Sequence, residues 1–253
     1  MRALFSNSVL IVCLWLGIMG TAFGQSPEQV SDIVEFRTIG IAPYGINNNT
    51  ASGIYFDAAN LIAKGAGYQI NNKIYPYARI IKELITGQTD VTIMFKYKEL
   101  EGHVVYVAPF ETLKIVVIGL KGVTFQSIDS LKGRALAYLR GAKFSDVIDN
   151  DPDIIKYDTT DFSQGIKMLK YGRVDALIGP LDPILFTSAK MFDNKNIFGR
   201  PLVVDERTPW VQVSNKSLGR ISIKKLKAAF QKMKDAGQLD LLRKKYIRID
   251  HNY

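Results

Sequence analysis

Side chains suited to acid–base or nucleophilic work are few in this chain. It has two histidines, His103 and His251, and the second sits in the last few residues, where a chain end frays. A Ser-His-Asp arrangement would have to use His103, and no G-x-S-x-G turn is present to expose a serine. His103 with Glu99 and Glu101 has metal-ligand residue types, but that spacing on a loop reads equally as a solvated acidic turn. Cys13 is the only cysteine and falls in an apolar leader, so neither disulfides nor thiol chemistry are expected beyond it. Arg79 is a different case. It would open a helix, where anions are preferred, so its guanidinium is a candidate for bidentate contact with a carboxylate or phosphate; a surface role reads equally well. The residues therefore predict no catalytic group, no metal ligand and no cofactor, and the chemistry to look for is that of binding.

The elements that would position such a site begin after a leader. Arg2 is followed by an apolar stretch from Val9 to Met19 and the small-residue run Gly20-Thr21-Ala22-Phe23-Gly24. This is the layout of a secretory signal over residues 1–24, with Gln25 as the mature start. The stretch is short for a spanning helix, which needs about 20 apolar residues. The mature chain is long enough for one large core or two small ones. The formal charge is +9, but the lysines are scattered. Lys224-Lys225 and Arg243-Lys244-Lys245 read as the solvated face of closing helices, which argues against a nucleic-acid partner.

One pattern occurs twice. Leu84-Ile85-Thr86-Gly87-Gln88-Thr89-Asp90-Val91-Thr92-Ile93 and Leu169-Lys170-Tyr171-Gly172-Arg173-Val174-Asp175-Ala176-Leu177-Ile178 share L-x-x-G-x-x-D-x-x-I. In each copy a helical stripe precedes a glycine stop and an apolar strand comes next: Ile80, Ile81, Leu84 and Ile85 before Gly87, and Phe162, Ile166 and Leu169 before Gly172. Two similar α/β lobes with helix-covered parallel sheets account for this, although L-x-x-G-x-x-D is also a common way to end a helix before a strand. Further strands are expected over Phe36 to Ala42, Lys114 to Leu120, Arg134 to Leu139, Pro201 to Asp205 and Trp210 to Ser214. Asp57 and Ser222 are placed to cap helices.

Taken in order, Gly53-Ile54-Tyr55-Phe56-Asp57-Ala58-Ala59-Asn60-Leu61-Ile62-Ala63, the first L-x-x-G-x-x-D, Tyr106-Val107-Ala108-Pro109-Phe110, Leu131-Lys132-Gly133, Gly172-Arg173-Val174-Asp175-Ala176 and Met233-Lys234-Asp235-Ala236-Gly237 with Lys245-Tyr246 resemble the bacterial extracellular solute-binding proteins of the polar amino-acid type (family 3). The resemblance spans essentially the whole mature chain. It implies an α/β, type II periplasmic binding protein fold: two doubly wound lobes joined by a two-segment hinge, lobe 1 from 25–112 and 208–253, lobe 2 from 113–207, with the crossings near Glu111-Thr112-Leu113 and Asp205-Glu206-Arg207. It also implies a periplasmic monomer that closes on a small polar or anionic solute and then engages an ABC transporter permease or a membrane sensor.

The resemblance places the ligand against aromatic side chains of lobe 1, at positions matched here by Tyr44 and Tyr77, with Phe95 and Lys96 at the end of the first repeat's strand. In lobe 2 it points to the turn Arg140-Gly141-Ala142-Lys143, where main-chain amides at a helix start would receive an acceptor. Two departures bear on the ligand. Amino-acid binders of the family carry an arginine after the first repeat to clamp the α-carboxylate, but the shorter stretch Lys98-Glu99-Leu100-Glu101-Gly102 has none. Lys96 and Lys98 are the available replacements, as point charges without a planar fork. The acidic residue for an α-ammonium is matched by Pro180, with Asp182 just beyond it. A standard zwitterion is therefore disfavoured relative to an anionic or uncharged polar solute. Cyclohexadienyl dehydratases resemble the same family, and an elimination enzyme using Glu206 or Lys98 is the alternative.

Overall fold

A computed structural model describes residues 33–193 and 196–247. The signal expected over 1–24 and His251 lie outside the described residues. Two five-stranded sheets carry the fold, and they are built alike. In the first, β1 (Ile33–Ile39), β2 (Gln69–Tyr75) and β3 (Val91–Met94) run parallel in the order β2-β1-β3, followed by β10 (Trp210–Ser214) and β4 (Val104–Pro109). In the second, β7 (Ile155–Thr159), β6 (Ala135–Leu139) and β8 (Ala176–Pro180) form the parallel trio, followed by β5 (Leu113–Ile118) and β9 (Leu202–Arg207). β10 pairs antiparallel with both of its neighbours, as does β5. The expectation of two doubly wound lobes is met. The sheets are mixed rather than parallel throughout, because the fourth strand of each is the one that has just arrived from the other lobe.

The two arrivals lie side by side. The chain leaves lobe 1 between β4 and β5 and returns between β9 and β10. Phe110 N donates to Pro209 O at 2.8 Å, and the Thr112 and Thr208 hydroxyls meet at 2.7 Å. Bending therefore has to occur at two adjacent, mutually bonded segments.

The repeated glycine and aspartate have the same physical task in each lobe. Gly87 (φ 80°) and Gly172 (φ 66°) take the left-handed turn that ends α2 (Tyr77–Thr86) and α4 (Phe162–Lys170), a conformation other residues adopt at a cost. Asp90 then exchanges two bonds with the first strand of its sheet: its N–H donates to Glu35 O (2.8 Å), and its Oδ2 accepts from Glu35 N (2.7 Å). Asp175 does the same with Ala135, at 2.7 and 2.8 Å. The aspartate thus sets the register between the first and third strands. The two repeats lie in separate sheets.

Two local expectations change. Asp57 does not cap α1 (Ile54–Gly65); it lies within the first turn and accepts from Lys245 Nζ and Tyr246 Oη, both at 2.8 Å, tying α1 to α7 (Gln238–Tyr246). The helix begins instead on Gly53 (φ 132°), where a Cβ would fall 2.4 Å from Tyr44 O. Nor does a helix begin at Arg140–Lys143, because α3 starts only at Asp146. Ser222 does cap α6 (Ile223–Asp235), accepting from Lys225 N.

Candidate functional site

The carboxyl ends of the parallel strands in the two sheets face one another across the crossings, the place where open α/β sheets bind ligands. In lobe 1 the loop after β1 is wound tightly: Tyr44 N donates to Ile41 O (2.8 Å), and Tyr44 O accepts from Tyr55 N (3.0 Å) at the start of α1. This lays the Tyr44 ring on Tyr55, centroids 4.3 Å apart and 17° from parallel. Tyr77 opens α2 directly after Pro76 and lies 5.5 Å from Tyr97, just past β3. All four rings are buried. Burial pushes each of their hydroxyls well above the ordinary tyrosine range, so all stay protonated at neutral pH.

The lobes are closed on each other. A Cβ on Gly141 of lobe 2 would lie 3.7 Å from Ala78 Cβ in α2 of lobe 1. Arg207, at the end of β9, donates from Nη1 to Lys143 O (3.1 Å) and from Nη2 to Lys96 O (2.8 Å), with its guanidinium 5.3 Å from the Phe95 ring centroid. On the other side of the floor, Arg243 in α7 reaches Asp182 at the start of α5 (Leu181–Met191) at 3.2 Å, and Glu111 in the first crossing at 2.5 Å.

The floor is packed. One cavity of about 20 Å³ is bordered by Tyr44, Tyr55, Tyr77, Phe95, Leu113 and Pro180, and another of about 30 Å³ by Tyr44, Phe110, Asp182, Leu239 and Arg243. Each is of water size. Tyr44 borders both, and its hydroxyl is buried without a hydrogen-bond partner among the described residues. A wider recess of about 400 Å³ opens between Gly40, Ala42 and Asn47 of lobe 1 and Asp161, Phe162 and Phe186 of lobe 2.

Of the residues expected at the site, Tyr44, Tyr77 and Phe95 come together in the floor, and Gly141 reaches lobe 1. The others are placed differently. Ala142 is buried and its amide is spent on Leu139 O (3.0 Å), as the amide of Arg140 is on Thr159 O (2.9 Å), so this turn is not the open row of amides a helix start would give. The Arg140 guanidinium faces Asp158 at 3.5 Å on the surface, and the Lys143 side chain is exposed. Lys96 Nζ stands over the rings of Tyr106 (4.4 Å) and Trp210 (4.2 Å). Arg79 lies over Tyr75 (3.6 Å), bonds Glu83 (2.8 Å) and is 56% exposed, which fits its surface reading. Asp182 borders the rear cavity through its pair with Arg243. Sequence reasoning does not reach Tyr55, Tyr97, Arg207 or Arg243 as site residues. Arg207 has a signal, since the resemblance puts a crossing at Asp205-Glu206-Arg207; Arg243 reads as one of a run of solvated cations. Among the described residues no His, Cys, Asp and Glu cluster could hold a metal ion, and no helix is long and apolar enough to cross a membrane.

A model of the family described as "Bacterial extracellular solute-binding proteins, family 3" matches residues 38–249. Among solved structures, an ancestral arginine-binding protein bound to arginine is similar with a TM-score of 0.70 at 22% identity, over 85% of this chain and 98% of that one. The GluR0 ligand-binding core from Nostoc punctiforme in complex with L-glutamate gives 0.72 at 19%, over 85% and 99%. An ancestral amino acid-binding protein described as a precursor of cyclohexadienyl dehydratase gives 0.69 at 16%, over 86% and 96%. No curated protein matches the sequence. Likeness at these identities establishes the fold, that of the type II periplasmic binding proteins.

Proposed function

Because the chain belongs to the bacterial extracellular solute-binding proteins of family 3, we propose that it is exported to the periplasm, closes its two lobes on a small polar or anionic organic solute, and presents the closed form to an ABC transporter permease. The observation that carries this reading is the pair of bonded crossings between two lobes whose strand ends converge on Tyr44, Tyr77, Phe95 and Gly141. A solute that contacts both walls favours the closed arrangement by its differential affinity for it. Arginine and glutamate are the solutes in two of the similar structures, which supports an amino-acid-like size. Asp182, the carboxylate nearest in sequence to the position expected to receive an α-ammonium, is paired to Arg243, which supports an anionic or uncharged polar solute over a zwitterion.

The elimination-enzyme alternative needs a carboxyl or lysine poised at the ligand. Asp182 and Glu111 are both held by Arg243, and Glu206 and Lys98 are exposed, so the lining favours binding without turnover. Calorimetric titration of the mature protein with amino acids, dicarboxylates, polyamines and aromatic acids, with prephenate assayed for phenylpyruvate, tests both readings. Saturable one-to-one binding without product is expected. Turnover of prephenate would reverse the assignment, and the absence of any saturable solute would sink it.

A further inference from the structure

Three arginines near the cleft have carboxylate partners: Arg243 has Asp182 and Glu111, Arg140 has Asp158, and Arg79 has Glu83. Arg207 has none among the described residues. Its partners are two main-chain oxygens, Lys96 O from lobe 1 and Lys143 O from lobe 2. Carbonyl oxygens orient a guanidinium without neutralising it, and they use two of its five N–H donors. Arg207 is half-buried at the seam, and holding an uncompensated charge away from water is costly.

A hydroxyl within reach of the Arg207 charge is also able to donate. The Tyr97 hydroxyl is buried without a partner at hydrogen-bond distance, its contacts with the Tyr77 hydroxyl and the Lys143 main-chain N–H being looser. The positive charge of Arg207 is felt at Tyr77 and Tyr97 of lobe 1 and at Tyr138 of lobe 2, so it stands where the two walls converge. A full positive charge, spare N–H donors and an unpaired buried hydroxyl form a group that an incoming anion would complete.

We infer that Arg207 selects the solute: its guanidinium takes an oxyanion group, a carboxylate, phosphate or sulfonate, at the seam between the lobes, with the Tyr97 hydroxyl as a second donor. This rests on the solute capture proposed for the cleft and names the charged end of the solute. A guanidinium suits the task because its planar fork meets two oxygens at once. Its place on β9 at the second crossing matters as much. The two carbonyls that aim it belong to different lobes, so the fork is held in one orientation only when the lobes are shut, and an anion bound to it is bound to the closed form.

The test uses the mature protein and matched probes: succinate against succinamide, L-glutamate against L-glutamine amide, and inorganic phosphate and methanesulfonate as the other oxyanions. Affinity is read by calorimetry and melting temperature. At least one oxyanion should bind the wild type more tightly than either amide. Arg207→Gln should weaken that oxyanion by about 10- to 100-fold, the range of a charge-assisted hydrogen bond. Arg207→Lys should fall between the two, and Tyr97→Phe should lose a few-fold. The unliganded melting temperatures of all variants should stay near that of the wild type, which separates recognition from folding. An Arg207→Gln variant that binds the same oxyanion as well as the wild type would overturn the inference. So would a wild type that prefers the amides, although solute capture would stand. A wild type that binds none of the oxyanions would overturn the inference, and one that also binds nothing in the wider solute panel would overturn solute capture with it.

Discussion

The two lobes place chemically opposite fillings at the same points of one scaffold. Aligning Asp90 with Asp175 and Leu84 with Leu169 sets Glu35 against Ala135, Arg37 against Ala137, Glu83 against Met168 and Thr89 against Val174. In lobe 1 these residues form a buried polar network. Arg37 bonds Glu83 (3.2 Å) and Glu35 (2.7 Å) and donates to Phe36 O and Asn71 O; Thr89 donates to Glu83 (2.8 Å). In lobe 2 the matching side chains are apolar, with Ala137 and Val174 buried and Ala135 and Met168 packed on the core. The architecture therefore does not require the charges. What it requires is the shared part: the glycine stop and the aspartate that ties the third strand to the first.

This difference predicts its largest effect at Arg37. Arg37→Ala breaks the pairs with Glu83 and Glu35 and takes the donor from Phe36 O and Asn71 O, while Glu83 keeps Arg79; the loss should be about 3 kcal/mol, the lower end for a broken buried pair. Replacing Glu35, Arg37, Glu83 and Thr89 together by the lobe 2 set of Ala, Ala, Met and Val removes the ion pairs at once, leaving the half-buried Asn71 and the exposed Arg79 to turn to water, and should recover at least half of that loss, as judged by urea unfolding. A combined variant less stable than Arg37→Ala would break the equivalence of the two fillings.

The shared aspartates differ in what surrounds them. Asp90 is fully buried and also binds Ser217 Oγ (2.6 Å) and Arg220, both from the segment that returns after β10. The Asp175 side chain is 41% exposed and, beyond its bond to Ala135, has Arg134 at 3.6 Å. Asp90→Ala strands Ser217 and the Glu35 amide together with Arg220 and should cost about 3 kcal/mol; Asp175→Ala, whose partners can turn to water, should cost about 1 kcal/mol. Equal losses in urea unfolding would mean that the bonds to the returning segment add nothing. The glycines sharpen the contrast at smaller scale. A Cβ on Gly87 would meet Lys216 Cβ at 2.7 Å, whereas one on Gly172 meets nothing. Gly172→Ala should therefore show only the left-handed penalty of about 1 kcal/mol, and Gly87→Ala more than that.

The shared features are legible in the sequence because they are local. Glycine, aspartate and strand recur at fixed spacing, and a helical stripe can be counted. The fillings are not legible, since Arg37 and Glu83 meet only after β1 and α2 have packed together, and nothing in either segment names the other. The same holds at the site. Tyr44 and Tyr77 lie where a strand end puts them. Tyr97 and Arg207 gain their roles from closure of one lobe on the other, and the turn at Arg140–Lys143 reads as a helix start although the amides of Arg140 and Ala142 are bonded to Thr159 and Leu139. The antiparallel fourth strands escape for a related reason, as direction in a sheet depends on which crossing delivers the strand.

Acidity offers the gentlest probe of the lobe 1 filling. Burial alone would raise the Glu83 carboxyl, but hydrogen bonds from Arg79 and Thr89 and the charge of Arg37 outweigh it and hold Glu83 below the usual carboxylate range. For Glu35, burial is likewise outweighed by the hydrogen bonds from Asn71 and Arg37. A carboxyl with a lower value folded than unfolded favours the folded state while it is ionised. Its contribution is complete above the unfolded value, about 4.3, and is lost as pH falls through the folded value. Stability should therefore decline on acidification below about pH 4, and Glu83→Gln, already less stable at neutral pH, should decline less steeply because one of the linked protons is gone. Urea unfolding of both proteins at a series of pH values measures the two slopes. Parallel slopes would remove Glu83 from the linkage and leave its network to act through packing and hydrogen bonds alone, as the apolar residues of lobe 2 do through packing.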